Sequence, residues 1–136
     1  ILSTGKELYV LDIKSMNSMI FRNLQEPNEE NIDQIQLYLH YFKVPKGILL
    51  YVNKDTQELK EFEVAYDKKR SEALLKDLSD IKIKIDSGTI PDRISGYPED
   101  WQCRYCQFKE ICIMAGIGEM KWEKFKTKIS QIAVEA

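Results

Sequence analysis

Residues 8–14 read LYVLDIK, and the fold turns on how that stretch is read. Apolar and β-forming side chains alternate along it, the pattern of a strand with one face toward a core. Gly5 and Lys6 make the turn before it. In a strand, side chains two apart share a face, so Asp12 and Lys14 project together from the strand's end. A carboxylate and an ammonium on an otherwise apolar face are costly to bury unless paired or put to use. Taken alone, Asp-x-Lys at a strand end is usually an exposed ion pair.

The chain after this strand supplies its neighbours. Residues 15–23 are open, a short helix or a loop. Asn28 is a good N-cap, and Glu29 and Glu30 suit a first helical turn. The helix is expected to stop near Lys43, ahead of Pro45. Ile32, Ile35, Leu39 and Phe42 make one apolar stripe, and Leu37, Tyr38 and Tyr41 another. A helix apolar on two sides is expected to be well buried. Gln34 and Tyr38 are one turn apart and share a face. Residues 47–53, GILLYVN, form an apolar run of strand length, and 59–66 return as the second strand of a hairpin. Asp67 caps a helix to about Ile85, with Leu74, Leu78, Ile81 and Ile85 as its apolar stripe. Gly88 ends that helix. Pro91, Gly96 and Pro98 then punctuate a loop, and a last helix is expected over 119–133. The order β-α-β-β-α, followed by a cysteine-bearing tail, predicts an α/β fold with a mixed central sheet flanked by helices. Residues 1–95 are read as the core and 96–136 as a tail packed on it.

A length of 136 residues suits one domain or a piece of one. The first residue is Ile1 and a core strand follows almost at once, so the natural chain is expected to extend upstream. No apolar stretch approaches the length of a membrane span. The net charge of −2 provides no global field toward nucleic acid. Lys6, Lys14, Lys43, Lys46 and Lys54 can still supply a local basic groove. Trp101 and Trp122, and the basic residues Arg104, Lys109, Lys121, Lys124 and Lys126, are read as packing and solvated surface.

Three cysteines, Cys103, Cys106 and Cys112, fall in WQCRYCQFKEIC at Cys-x2-Cys-x5-Cys spacing. An odd, tight cluster is not a secreted disulfide framework. It reads as thiolate ligands in a reducing, cytoplasmic compartment, for zinc or for an iron–sulfur cluster. His40 lies on the helix expected to be buried and is read as a packed residue rather than a fourth ligand.

Phosphodiester hydrolysis needs a hard divalent cation held by oxygen ligands, a placed water and charge stabilisation at the phosphate. Asp12 can supply one ligand, and the main-chain carbonyl of Ile13 another. A lysine beside the metal can place the water or stabilise charge. Asp12-Ile13-Lys14 at a strand end, a helix carrying Gln34-Ile35-Gln36-Leu37-Tyr38 and an apolar strand together resemble the RecB-like group of PD-(D/E)XK nucleases. That group carries (D/E)-x-K and then Q-x-x-x-Y. The resemblance implies a restriction-endonuclease-like core, incomplete at its N-terminal side because the family's upstream Asp has no counterpart here. It implies a metal-dependent deoxyribonuclease using Mg2+ or Mn2+, with this stretch alone inactive. Asp12 would be a metal ligand, Lys14 the catalytic lysine, and Gln34 and Tyr38 would organise the site and contact DNA. The substrate would be DNA ends or single strands, in recombination, phage replication or a CRISPR-related complex. The cysteine triplet resembles that of RecB-like exonucleases that hold a structural [4Fe–4S] cluster with one upstream cysteine; zinc is the alternative. The rival readings are a non-catalytic nucleic-acid-binding module and a structural subunit built on a degenerate nuclease fold.

Overall fold

The computed structural model describes residues 1–3, 5 and 7–135, with side chains to residue 130. Two compact units divide the chain, Ile1–Asp77 and Leu78–Ala136.

The first unit is built on a four-stranded mixed sheet of order β1-β2-β3-β4. β1 (Leu2–Ser3) pairs antiparallel with β2 (Leu8–Met16), β2 runs parallel to β3 (Lys46–Asn53), and β3 is antiparallel to β4 (Leu59–Ala65). The uncertain stretch after β2 resolves into a short helix, α1 (Ser18–Asn23), capped by the Asn17 side chain on the Ile20 N–H. Its C-terminal carbonyls are closed by Lys60, whose ammonium donates to Phe21 O (2.7 Å) and Leu24 O (2.8 Å). Helix α2 (Glu29–Phe42) is the crossover that a parallel pair requires. Lys43 ends it in the left-handed conformation, φ 55°.

Parallel register places Val10 beside Gly47, Asp12 beside Leu49 and Lys14 beside Tyr51, so these side chains share one face. That face carries the core. Val10, Leu49 and Tyr51 pack with Ile35 and Leu39 of α2 and with Phe21, Leu24 and Val44. Burying each such side chain contributes about 1.5–3 kcal/mol before entropy is counted. The Tyr51 hydroxyl is fully buried and accepts from the Asn28 N–H (3.2 Å) and the Asn31 amide (2.7 Å). Gln36 is also buried, donating to Ala65 O (2.7 Å) and accepting from the Asp67 N–H (2.8 Å).

The two-sided burial expected for α2 is only half realised. Ile35 and Leu39 are buried, while Tyr38, Tyr41 and Phe42 are exposed. His40 is exposed too, its Nδ1 2.7 Å from the Tyr66 hydroxyl, and so is not a core residue.

Helix α3 (Lys68–Asp86) spans the boundary between the units, with Asp67 accepting from the Arg70 N–H at its start. Of its predicted stripe only Leu74 is half-buried; Leu78, Ile81 and Ile85 are exposed. The second unit continues with β5 (Thr89–Ile90), α4 (Trp101–Arg104), α5 (Lys109–Ala115), β6 (Met120–Lys121) and α6 (Trp122–Glu135). β5 and β6 pair antiparallel, so α6 begins at Trp122 rather than at Glu119. Among the described residues no helix is long and apolar enough to cross a membrane.

Candidate functional site

Asp12 and Lys14 stand at the C-terminal half of β2, on the face that α2 covers. Ile35 is fully buried in the core, and its half-buried neighbour Gln34 reaches Lys14. The Lys14 ammonium lies 3.0 Å from Asp12 Oδ2 and donates a short hydrogen bond to Gln34 Oε1. Gln34 Nε2 in turn donates to the Tyr38 hydroxyl at 2.9 Å. The orientation of the Gln34 amide follows from chemistry. An ammonium can only donate, so it must face Oε1, which turns Nε2 toward Tyr38. The structure therefore joins all four side chains singled out in the sequence into one continuous line of polar contacts.

The Asp12 side chain is 15% exposed and that of Lys14 25%, so the pair is partly withdrawn from water. Asp12 Oδ2 is itself shielded from solvent and accepts no hydrogen bond. Its contact with Lys14 is close enough for ionic attraction but lacks the directionality of a hydrogen bond. The Lys14 ammonium is the cation that compensates this otherwise shielded oxygen. Among the described residues, no group of three or more His, Cys, Asp or Glu side chains is disposed to hold a metal ion.

The expected basic groove is not a single cluster. Lys14 is engaged with Asp12 and Gln34, and Lys46 pairs with Glu63 at 3.3 Å. Lys43 and Lys54 are exposed, and Lys6 lies outside the described residues.

In the second unit Cys103 sits buried on α4, Cys106 follows it in the next turn and Cys112 lies on α5. None is in a disulfide. All three line one cavity of about 280 Å³, walled otherwise mainly by apolar side chains such as Ile90, Ile94 and Ala115. Burial pushes the Cys103 thiol above its ordinary pKa, and Asp100, Cys112 and Cys106 nearby push the same way. The donor set is right for a thiophilic group, but among the described residues the three cysteines are not disposed to hold a single metal ion.

Arg93 also lines this cavity, and nothing in its sequence context distinguished it. Its guanidinium donates to Cys112 O at 2.7 Å and lies 4.3 Å from the Tyr97 ring centroid, while its Nε is buried without a partner.

Three comparisons bear on this geometry. The family described as the PD-(D/E)XK nuclease superfamily matches residues 1–113. A solved structure, the crystal structure of SSO0001, is similar at 26% identity with a TM-score of 0.54. The similarity covers 82% of this chain and 47% of that one, so the chain spans about half the length of that protein. No curated protein matches the sequence. The family match over most of the chain agrees with the mixed sheet and its crossover helix, a restriction-endonuclease-like core, and this chain belongs to the PD-(D/E)XK nuclease superfamily.

Proposed function

We propose that this chain carries the lysine half of the active site of a divalent-metal-dependent deoxyribonuclease of the RecB-like kind, acting on DNA ends or single strands. The observation that carries this reading is the continuous line Asp12–Lys14–Gln34–Tyr38, with the Lys14 ammonium held 3.0 Å from Asp12 Oδ2. Asp12 and the Ile13 carbonyl would hold Mg2+ or Mn2+ together with ligands from beyond these residues. When bound, such an ion neutralises phosphate charge and acidifies a water. Lys14, braced between Asp12 and Gln34, holds its ammonium where it can orient the attacking water or meet the negative charge developing on the phosphate. Gln34 sets the position of that ammonium, and the half-open Tyr38 faces the approaching strand. The reaction belongs to recombination, phage replication or a CRISPR-related complex.

The experiment is DNA degradation by the intact protein in magnesium, compared with Lys14→Ala. Loss of about 100-fold or more is expected, the scale of removing one group that stabilises transition-state charge. Circular dichroism and the thermal unfolding midpoint should stay near those of the unsubstituted protein. Undiminished hydrolysis by Lys14→Ala would remove Lys14 from the chemistry.

For the cysteines we propose a structural [4Fe–4S] cluster, with the fourth ligand from outside this stretch. The three cysteines line one cavity of about 280 Å³, and their close spacing suits thiolate ligation of such a group. Zinc is the alternative.

One observation favours a second reading, a non-catalytic DNA-binding or structural subunit. Among the described residues no group of three or more His, Cys, Asp or Glu side chains is disposed to hold a metal ion. An intact protein that binds DNA without magnesium-dependent hydrolysis would select it.

A further inference from the structure

Helix α2 does not end its exposed polar line at Tyr38. At about 100° per residue, Tyr41 lies about 20° around the helix from Gln34 and about 60° from Tyr38, so the three share one stripe. Tyr41 stands about 10 Å along the axis from Gln34. Its side chain is 79% exposed, and the adjoining Phe42 is 48% exposed. The two rings meet edge to face, with centroids 5.2 Å apart and planes at 84°. That contact steadies the rings against each other while most of the tyrosine surface stays open to solvent. The buried side of α2 is Ile35, Gln36 and Leu39, so Tyr41 contributes little to the core.

An open aromatic face on the same helix stripe as the polar line leading to Lys14 has the chemistry of a seat for an unpaired base. We infer that Tyr41, steadied by Phe42, stacks an unpaired nucleobase and gives the site a preference for single-stranded over duplex DNA. The inference rests on the nuclease reading above and names the substrate form that reading leaves open. Bases in a duplex are already stacked on each other and present no free face to Tyr41.

The test is binding of a fluorescently labelled oligothymidylate, and of a blunt hairpin duplex, by the intact protein in EDTA, where no hydrolysis is needed. Tyr41→Ala should weaken single-strand binding by about fivefold or more, the lower end of what one base–aromatic stack contributes. It should leave duplex binding within about twofold, and Tyr41→Phe, which keeps the ring, should bind as the unsubstituted protein does. Three results would each overturn the inference. They are single-strand binding indifferent to Tyr41→Ala, an equal loss on both DNAs, and an unsubstituted protein that binds no single strand. Hydrolysis in magnesium by the same preparations keeps the two readings apart. Cleavage that needs Lys14, with binding indifferent to Tyr41, sinks the stacking inference alone. Binding that needs Tyr41, without Lys14-dependent cleavage, sinks the nuclease reading alone.

Discussion

Ser18 donates both its hydroxyl (2.6 Å) and its backbone N–H (2.8 Å) to Asp55 Oδ2, tying the start of α1 to the turn between β3 and β4. The Ser18 hydroxyl bond, then its backbone bond, hold the Asp55 carboxyl below its ordinary value of 3.8, with Lys54 assisting. A carboxyl whose folded pKa is depressed contributes stability that is present above the unfolded value and lost as pH falls through the folded one. The stability advantage of the unsubstituted protein over Asp55→Asn should therefore be full near neutrality and vanish below pH 3.8. Urea unfolding of both proteins across that interval checks it, and an advantage that does not change with pH would refute it. Asp55 shows one limit of reading single residues. In the sequence it is simply part of a polar turn, because its partner lies 37 positions away. Asp12 and Lys14 were easier, since two residues separated by one position in a strand must share a face whatever the rest of the chain does.

At the scale of elements, the seating of α2 on the sheet decides whether Gln34 meets Lys14. Gly47 permits that seating. A Cβ there would come 2.5 Å from Ile35 Cδ1 and 3.2 Å from Val10 O. Gly47→Ala should lift α2 and cost about 1–3 kcal/mol, as overpacking of a filled core does. Adding Ile35→Val, which deletes the clashing Cδ1, should recover part of that loss, and denaturant titration of the single and double variants measures both. Additive losses in the double variant would show that Ile35 is not the obstacle. The same series should lower hydrolysis in step with stability, because α2 carries Gln34. The strand and helix periods in β2, α2, β3 and β4 were legible because each is long enough to show its repeat. The two-residue strands β1, β5 and β6 have no period to show, and short α4 and α5 lie in a Pro- and Gly-punctuated stretch. The α3 stripe misled for a different reason. Periodicity says which side chains share a face, not whether another element covers it, and Leu78, Ile81 and Ile85 stay exposed.

For the whole molecule, the cysteine reading makes a bulk prediction. Intact protein purified without oxygen should contain iron and acid-labile sulfide and absorb visible light. Cys103→Ser or Cys106→Ser should lower the iron content and the unfolding midpoint together. A colourless protein holding stoichiometric zinc would establish the alternative, and one holding neither metal would leave the cavity without either group. If the proposed nuclease reading holds, the net charge of −2 predicts modest DNA affinity, carried by local contacts instead of an overall field. The sequence by itself determined the strand and helix periods, the shared face of Asp12 and Lys14, the shared face of Gln34 and Tyr38, and the crowding of three thiols into ten residues. All of these are consequences of backbone geometry acting over short separations. Only the tertiary structure decided that β2 and β3 run parallel beneath α2, that Lys14 reaches across 20 positions to Gln34, and that the three cysteines line one cavity. Those are contacts between elements, set by which apolar faces bury one another, and no local period encodes that choice.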